Sequence, residues 1–274
     1  MSRSSDNDQH DPVVALIPAA GRATRLRGLS CSKEIYPVGT SRPKEGGPPR
    51  PKAVCEYLLE ALVTAGIHRG FVVLRPGKED IPAHLDGLDL DIEITYLTIE
   101  DSPSVAHTLD HAHPLLAGMR VALGFPDIVF QPQDAFRQIL ERQQTTRAPL
   151  VLGLFPTDQG PRSDMVELDN GGRARRIVIK QPGTDLRFMW SIAVWTPRFT
   201  DYLHRFLESP PPTREDKRGL GRELFIGDVV QTAIEDGFEV ETVVFDQGQI
   251  LDVGTPESLR LAASLLADRS HPQR

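Results

Sequence analysis

The stretch ALIPAAGRATRLRGLSCSKEIYPVG, from Ala15 to Gly39, sets an apolar run against a turn of Ala19, Ala20 and Gly21, followed by Arg22, Arg25 and, eight residues on, Lys33. The apolar run begins earlier, as VVALIPAA, and is continuous rather than alternating. That is the pattern of a strand buried on both faces of a parallel sheet. The runs GFVVLR, IEITYL, RVALGF and PLVLGLF repeat it further along. Between them lie helical patterns. KAVCEYLLEALVTAG places Val54, Leu58, Ala61, Leu62 and Ala65 on one stripe and stops at Gly66, where a C-terminal glycine cap belongs. SVAHTLDHAHPLL and QDAFRQILERQQ supply two more.

Strands and helices alternating in this order imply right-handed βαβ units and ligand sites beyond the C-terminal ends of the strands. The later third differs. MVELDNGGRARRIVIK reads as two strands joined through DNGG, and FMWSIAVW and EVETVVF as further strands. The expected fold is therefore α/β, with a central mixed, mostly parallel sheet flanked by helices. Residues 12–266 are expected to form one domain, with tails at 1–11 and 267–274. TSRPKEGGPPRPK (Thr40 to Lys52) and SPPPTREDKRG (Ser209 to Gly219) carry too much proline, glycine and charge for regular structure. Each reads as a surface loop, either a linker or a flap near a site.

At 274 residues the chain can bury roughly three quarters of its extended surface. Its net charge of −7 gives no global positive field for nucleic acid or an anionic membrane, so an anionic substrate must be met by local cations. Cys31 and Cys55 are the only cysteines, too few for a disulfide framework or paired metal motif. They read as reduced thiols of a cytoplasmic protein. The opening MSRSSDNDQHD lacks the basic start and apolar stretch of a secretory signal, and no run reaches membrane-spanning length. A soluble chain with a frayed N-terminus is expected.

A small-residue turn after a buried strand lets backbone N–H groups approach phosphate oxygens, with Arg22 and Arg25 to neutralise charge. By itself the turn reads equally as an ordinary strand-to-helix connection with solvated arginines. Ala23 and Leu26 stand where a dinucleotide fingerprint needs glycine, and the GxxxxGK[ST] of a P-loop is absent.

IPAAGRATRL, SKEIYPVG and PKAVCEYLLEALVTAGI together resemble the AGxGTRLxP, PKExLPV and KPLIxYxLExLxxAGI segments of the sugar-1-phosphate nucleotidylyltransferases. SVAHTLDHA, ALGFPDIVF and QILDVGTPESL follow in that family's order, resembling GxAxAL, LGDNIF and WxDxGTPExL, so the likeness runs from residue 13 to about 260. The resemblance implies a GT-A type, Rossmann-like nucleotide-diphosphosugar transferase fold. It also implies attack by a sugar-1-phosphate on the α-phosphorus of a nucleoside triphosphate, UTP or dTTP by likeness, with pyrophosphate leaving. Such chemistry rests on positioning and charge neutralisation.

By the same resemblance Arg25 and Lys33 are the catalytic cations, and Ala19, Ala20, Gly21, Arg22 and Ala106 border the nucleotide. Lys180 of IVIKQP would hold the sugar phosphate, and Asp127 and Asp252 would bind Mg2+. The implied partners are the two substrates and further copies of the chain in a homo-oligomer, without nucleic acid or membrane. Several positions depart from the pattern. Ala23 replaces a glycine, Ser32 the proline before the lysine, Ile179 a sugar-binding glutamate, and Ser191 another glycine, while Ile99 sits near the place of a base-reading glutamine. A regulatory subunit that binds without turnover is the alternative those departures favour, and the retained cations and carboxylates favour the enzyme. A GT-A glycosyltransferase would show a DxD motif after a central strand, and DLD at Asp89 to Asp91 follows a loop-like stretch instead. His107, His111 and His113 form HxxxHxH, conceivable as a zinc site but without a nearby glutamate or cysteine to complete it, and are read as polar helix-face residues.

Overall fold

The computed structural model describes residues 12–22, 26, 28–41, 48–209 and 223–267, with side chains through 262. In chain order the strands of the first half are β1 (Val13–Pro18), β2 (Pro37–Ser41), β3 (Arg50–Ala53), β4 (Arg69–Leu74), β5 (Glu93–Thr98), β6 (Arg120–Leu123) and β7 (Ile128–Gln131). Those of the second half are β8 (Leu150–Pro156), β9 (Asp164–Leu168), β10 (Ala174–Ile179), β11 (Phe188–Trp195), β12 (Val240–Val244) and β13 (Gln249–Asp252). The helices are α1 (Val54–Thr64), α2 (Asp80–Leu85), α3 (Val105–Asp110), α4 (Ala135–Thr146), α5 (Pro197–Glu208), α6 (Ile226–Glu235) and α7 (Pro256–Ala267).

The continuous apolar run that opens the sequence becomes β1, whose four interior residues are all buried. A strand's side chains alternate between faces, so a run without alternation must be covered twice. Val14 and Leu16 join Phe71, Val73 and Trp195 in one core. Ala15 and Ile17 join Leu58, Leu62, Phe136 and Ile139 in the other. Each fully buried aliphatic side chain is worth about 1.5–3 kcal/mol, so β1 is held from both sides.

β1 pairs in parallel with β4 on one side and β6 on the other, and β5 extends the parallel half beyond β4. The chain goes from β1 through α1 to β4 and β5, then returns through α3 to β6 across β1. That reversal makes the C-terminal end of β1 a topological switch point. β11 joins antiparallel to β6 and leads to β8 and β9, and β12 runs parallel to β8. β9 and β10 form the hairpin expected at DNGG. The mixed, mostly parallel sheet read from the pattern is present. Among the described residues no helix is long and apolar enough to cross a membrane.

Two readings of local structure change. Thr40 and Ser41 belong to β2 and Arg50 to Lys52 to β3, which pair antiparallel, so the ends of the supposed loop are a hairpin. Residues 42–47 between them, and 210–219 of the second supposed loop, lie outside the described residues. The SVAHTLDHAHPLL helix ends early, because Pro114 has no N–H to continue it, and a 3-10 turn follows at His113–Leu115. The α1 stop is as expected, with Gly66 at a φ of 78°.

The β2–β3 hairpin is fastened to α1 by one buried carboxylate. Arg50 donates to both oxygens of Glu56, at 2.9 and 2.6 Å, and the Ala53 N–H donates to Oε1 at 2.9 Å. Burial pushes the Glu56 carboxyl up, but the Arg50 fork, the Ala53 N–H and His84 outweigh it and hold the group below its ordinary value. A depressed folded value favours the charged form. This contribution to stability is therefore complete above the unfolded value of 4.5 and fades as pH falls below it through the folded value. Denaturant unfolding across the acid range should show that slope in the wild type and a shallower one in Glu56→Gln. In β8 a Cβ on Gly153 would lie 2.6 Å from Ile192 and 2.7 Å from Ile139. Gly153→Ala should accordingly cost about 1–3 kcal/mol by overpacking, read as a lower denaturation midpoint with unchanged slope.

Candidate active site

The loops that follow β1, β4, β5 and β6 leave the sheet at one edge, and between them opens a cleft of about 570 Å³. The segment after β1 supplies Ala20, Gly21 and Arg22, that after β4 supplies Arg75, and that after β6 supplies Phe125 and Asp127. The segment after β5 contributes Glu100 through Val105. Arg22 and Asp101 form an exposed ion pair at 2.9 Å between the β1 and β5 loops.

Lys33 enters from a 3-10 turn at Lys33–Ile35 that is pinned on both sides. Before it, the Ser32 N–H and hydroxyl donate to the two oxygens of Asp80, at 2.6 and 2.7 Å. After it, Lys78 donates to Glu34 at 2.6 Å, and both side chains are under a tenth exposed. Among the described residues the second oxygen of Glu34 has no hydrogen-bond partner, and the residue forms part of the cleft wall.

The Lys33 ammonium is paired with the Asp127 carboxylate. Burial alone would depress that lysine, but Asp127, with Glu34 and Asp252 behind it, more than offsets burial and holds it above its ordinary value. Lys33 stays a cation. Asp252, last residue of β13, lies opposite Ile128 across the β7–β13 ladder, and the Val253 N–H donates to the Asp127 carbonyl at 2.8 Å. Asp127 and Asp252 are thus brought together. Their oxygens are the donors a hard divalent cation prefers, and magnesium uses one or two carboxylates with water and substrate phosphates. The donor chemistry fits that ion, and no cluster of three or more metal-ligating side chains occurs among the described residues.

Of the residues singled out in the sequence, Ala20, Gly21, Arg22, Lys33 and Asp127 line the cleft, and Asp252 adjoins it. Ala19 is buried, its N–H donating to the Val73 carbonyl at 2.8 Å. Ala106 is fully buried on α3, while its neighbours Val105 and Thr108 face the cleft. Lys180 stands apart from the cleft lining, at the end of β10 with a φ of 45° and its ammonium 3.3 Å from the centre of the Phe225 ring. Arg25 and Ala23 lie outside the described residues.

The departures have structural readings too. Ile179 packs with the hydrophobic core and against Gly227, and Ile99 packs with the same core, its N–H donating to Leu74 at 2.9 Å. Ser191 sits at a register shift between β11 and its neighbour β8. The three histidines do not converge. His107 bonds Ser104 at 2.9 Å, and the His113 ring stacks on His204 at 3.9 Å.

Sequence reasoning passed over Arg75, Lys78, Asp80, Glu100 and Asp101. The available signal was position, since Arg75, Glu100 and Asp101 stand just beyond the C-terminal ends of parallel strands. The Lys78–Glu34 pair gives a direct stability test. Lys78→Met leaves a buried carboxylate unpaired and should cost about 3–5 kcal/mol, whereas Glu34→Gln with Lys78→Met should recover much of it. Urea unfolding of the single and double variants measures both.

The Nucleotidyl transferase family profile matches residues 14–269. The low-salt glycan biosynthesis nucleotidyltransferase Agl11 of Haloferax volcanii is 26% identical over 96% of this chain and 68% of its own length. A glucose-1-phosphate thymidylyltransferase of Neisseria gonorrhoeae is 27% identical over 93% of this chain and 82% of its own. The solved structure of the UTP-bound UGPase from Acinetobacter baumannii shares the fold, with a TM-score of 0.73 at 17% identity, covering 96% of this chain and 95% of that one. With a parallel sheet reversing at β1, a cleft beyond it and a profile match over nearly the whole chain, this protein belongs to the nucleotidyl transferase family.

Proposed function

We propose that the chain joins a nucleoside triphosphate, UTP or dTTP, to a sugar-1-phosphate, releasing pyrophosphate and an NDP-sugar, with Mg2+ as cofactor. The observation that carries this reading is the meeting of Lys33, Asp127 and Asp252 beside the Gly21–Arg22 turn at the switch point of the sheet. A phosphate oxygen of the sugar-1-phosphate forms a bond to the α-phosphorus, and the bond from that phosphorus to the oxygen bridging to the β-phosphate breaks. The Ala19 N–H is engaged by β4, so the triphosphate is met by groups beyond it in the turn, by Arg22 and by Arg25. Lys33 reduces the negative charge gathering on the phosphoryl oxygens.

Asp127 and Asp252 would hold the cation, which when bound supplies Lewis-acid stabilisation of the phosphate charge. The base falls to the loop after β5. Ile99 is packed into the core, so recognition passes to the polar groups between Glu100 and Ser104. Lys180 is proposed to hold the sugar phosphate. Its ammonium lies over Phe225, near the point where Glu223 contributes to the cleft wall.

Pyrophosphate release across a panel of nucleoside triphosphates and sugar-1-phosphates, with and without magnesium, tests the whole reading. Asp127→Asn and Asp252→Asn should each lower turnover by orders of magnitude in protein that still folds, and Asp127→Asn, which unpairs the Lys33 ammonium, should also lower the melting temperature. Lys33→Ala should lower kcat about a hundredfold or more with a smaller effect on nucleotide affinity. Near-normal rates in all three variants, or no productive substrate pair, would overturn the assignment.

A further inference from the structure

Lys33 is useful only if its turn is held still, because a side chain displaced by about 1 Å from its productive position loses roughly a hundredfold in rate. What holds the turn at its entry is Ser32. Its backbone lies at φ −58° and ψ 139°, within the range to which a proline ring confines φ. Serine has no such ring and samples several basins when free. Here both of its donors, N–H and hydroxyl, close on the two oxygens of Asp80 at 2.6 and 2.7 Å. That fork fixes the conformation from outside, and from it the turn begins, with the Ile35 and Tyr36 N–H groups donating back to Ser32 and Lys33 at 3.1 and 3.2 Å.

We infer that Asp80 is a positioning residue for Lys33: its carboxylate, through Ser32, imposes on the approach to the lysine the backbone restraint that a proline at position 32 would impose covalently. The inference rests on the proposed role of Lys33 for its kinetic part only. Asp80 is the first residue of α2, directly after the β4–α2 connection that carries Arg75 into the cleft and Lys78 onto Glu34. Lys33 is therefore bracketed by two side chains of one short segment, and Asp80 is the one that sets its backbone.

A specific consequence follows from the φ value. If the carboxylate substitutes for a ring, a ring makes the carboxylate dispensable. Asp80→Ala should speed hydrogen exchange at the amides of Lys33, Glu34 and Ile35 and lower kcat for pyrophosphate release by about tenfold to a hundredfold, with a much smaller change in KM for the nucleotide. Adding Ser32→Pro to Asp80→Ala should slow exchange at those amides again and restore most of the lost kcat. A purely structural role for Asp80 predicts otherwise: a lower melting temperature, a normal kcat for the folded fraction and no kinetic rescue by proline.

Should Asp80→Ala fail to fold, Asp80→Asn takes its place with and without Ser32→Pro, since the amide oxygen keeps one acceptor and loses the other. Exchange and kcat unaltered in the Asp80 variants, or a double variant as mobile and slow as the single one, overturns the inference. If the wild type releases no pyrophosphate with any substrate pair, the reading of Lys33 fails, and hydrogen exchange alone still decides whether Asp80 restrains the turn.

Discussion

Everything in the molecule depends on β1 being covered on both faces and paired on both edges. A strand so enclosed leaves its chain only at its ends, and the two parallel neighbours, β4 and β6, emerge at the same edge. The return from β5 to β6 passes across β1, so the following loops splay apart to either side. A cleft at that edge is the geometric result of the strand order. The residues that line it then come from segments distant in sequence, and the sheet aligns them.

Within the cleft, charge is handled by pairing rather than by exposure. Lys33 is matched by Asp127, and Glu34 by Lys78. These groups are largely withdrawn from water, where an unpaired charge is costly and a paired one is held in place. The exposed Arg22–Asp101 pair belongs to another regime, screened by solvent and salt and worth little to stability. Buried pairs set the site's shape, and the exposed one leaves its mouth free to rearrange.

The parallel half and the β9–β10 hairpin were legible because their signals are local. A continuous apolar run, a glycine with positive φ at residue 66 and a DNGG turn each act within a few residues. The β2–β3 hairpin was not legible, since its prolines and glycines look like loop composition and its pairing is secured by Glu56, on the helix that follows. In the candidate site, Lys33 and Asp127 stood out by motif, yet nothing short-range tied Ser32 to Asp80, 48 residues away. Ile179 shows the opposite difficulty. Its departure from the family pattern was visible, but only the structure shows that the side chain belongs to the core.

The cleft wall also has a sign. Among the described residues that line it, Glu34, Glu100, Asp101, Asp127 and Glu223 oppose Arg22, Lys33 and Arg75, so five carboxylates outweigh three cations by two charges. The chain as a whole carries −7. At long range the charge of the whole chain slows an approaching bare polyphosphate, an effect that added salt weakens. The same anion with its charge partly cancelled by a divalent ion would meet less of that opposition, so the proposed magnesium would ease the approach of the substrate as well as its reaction.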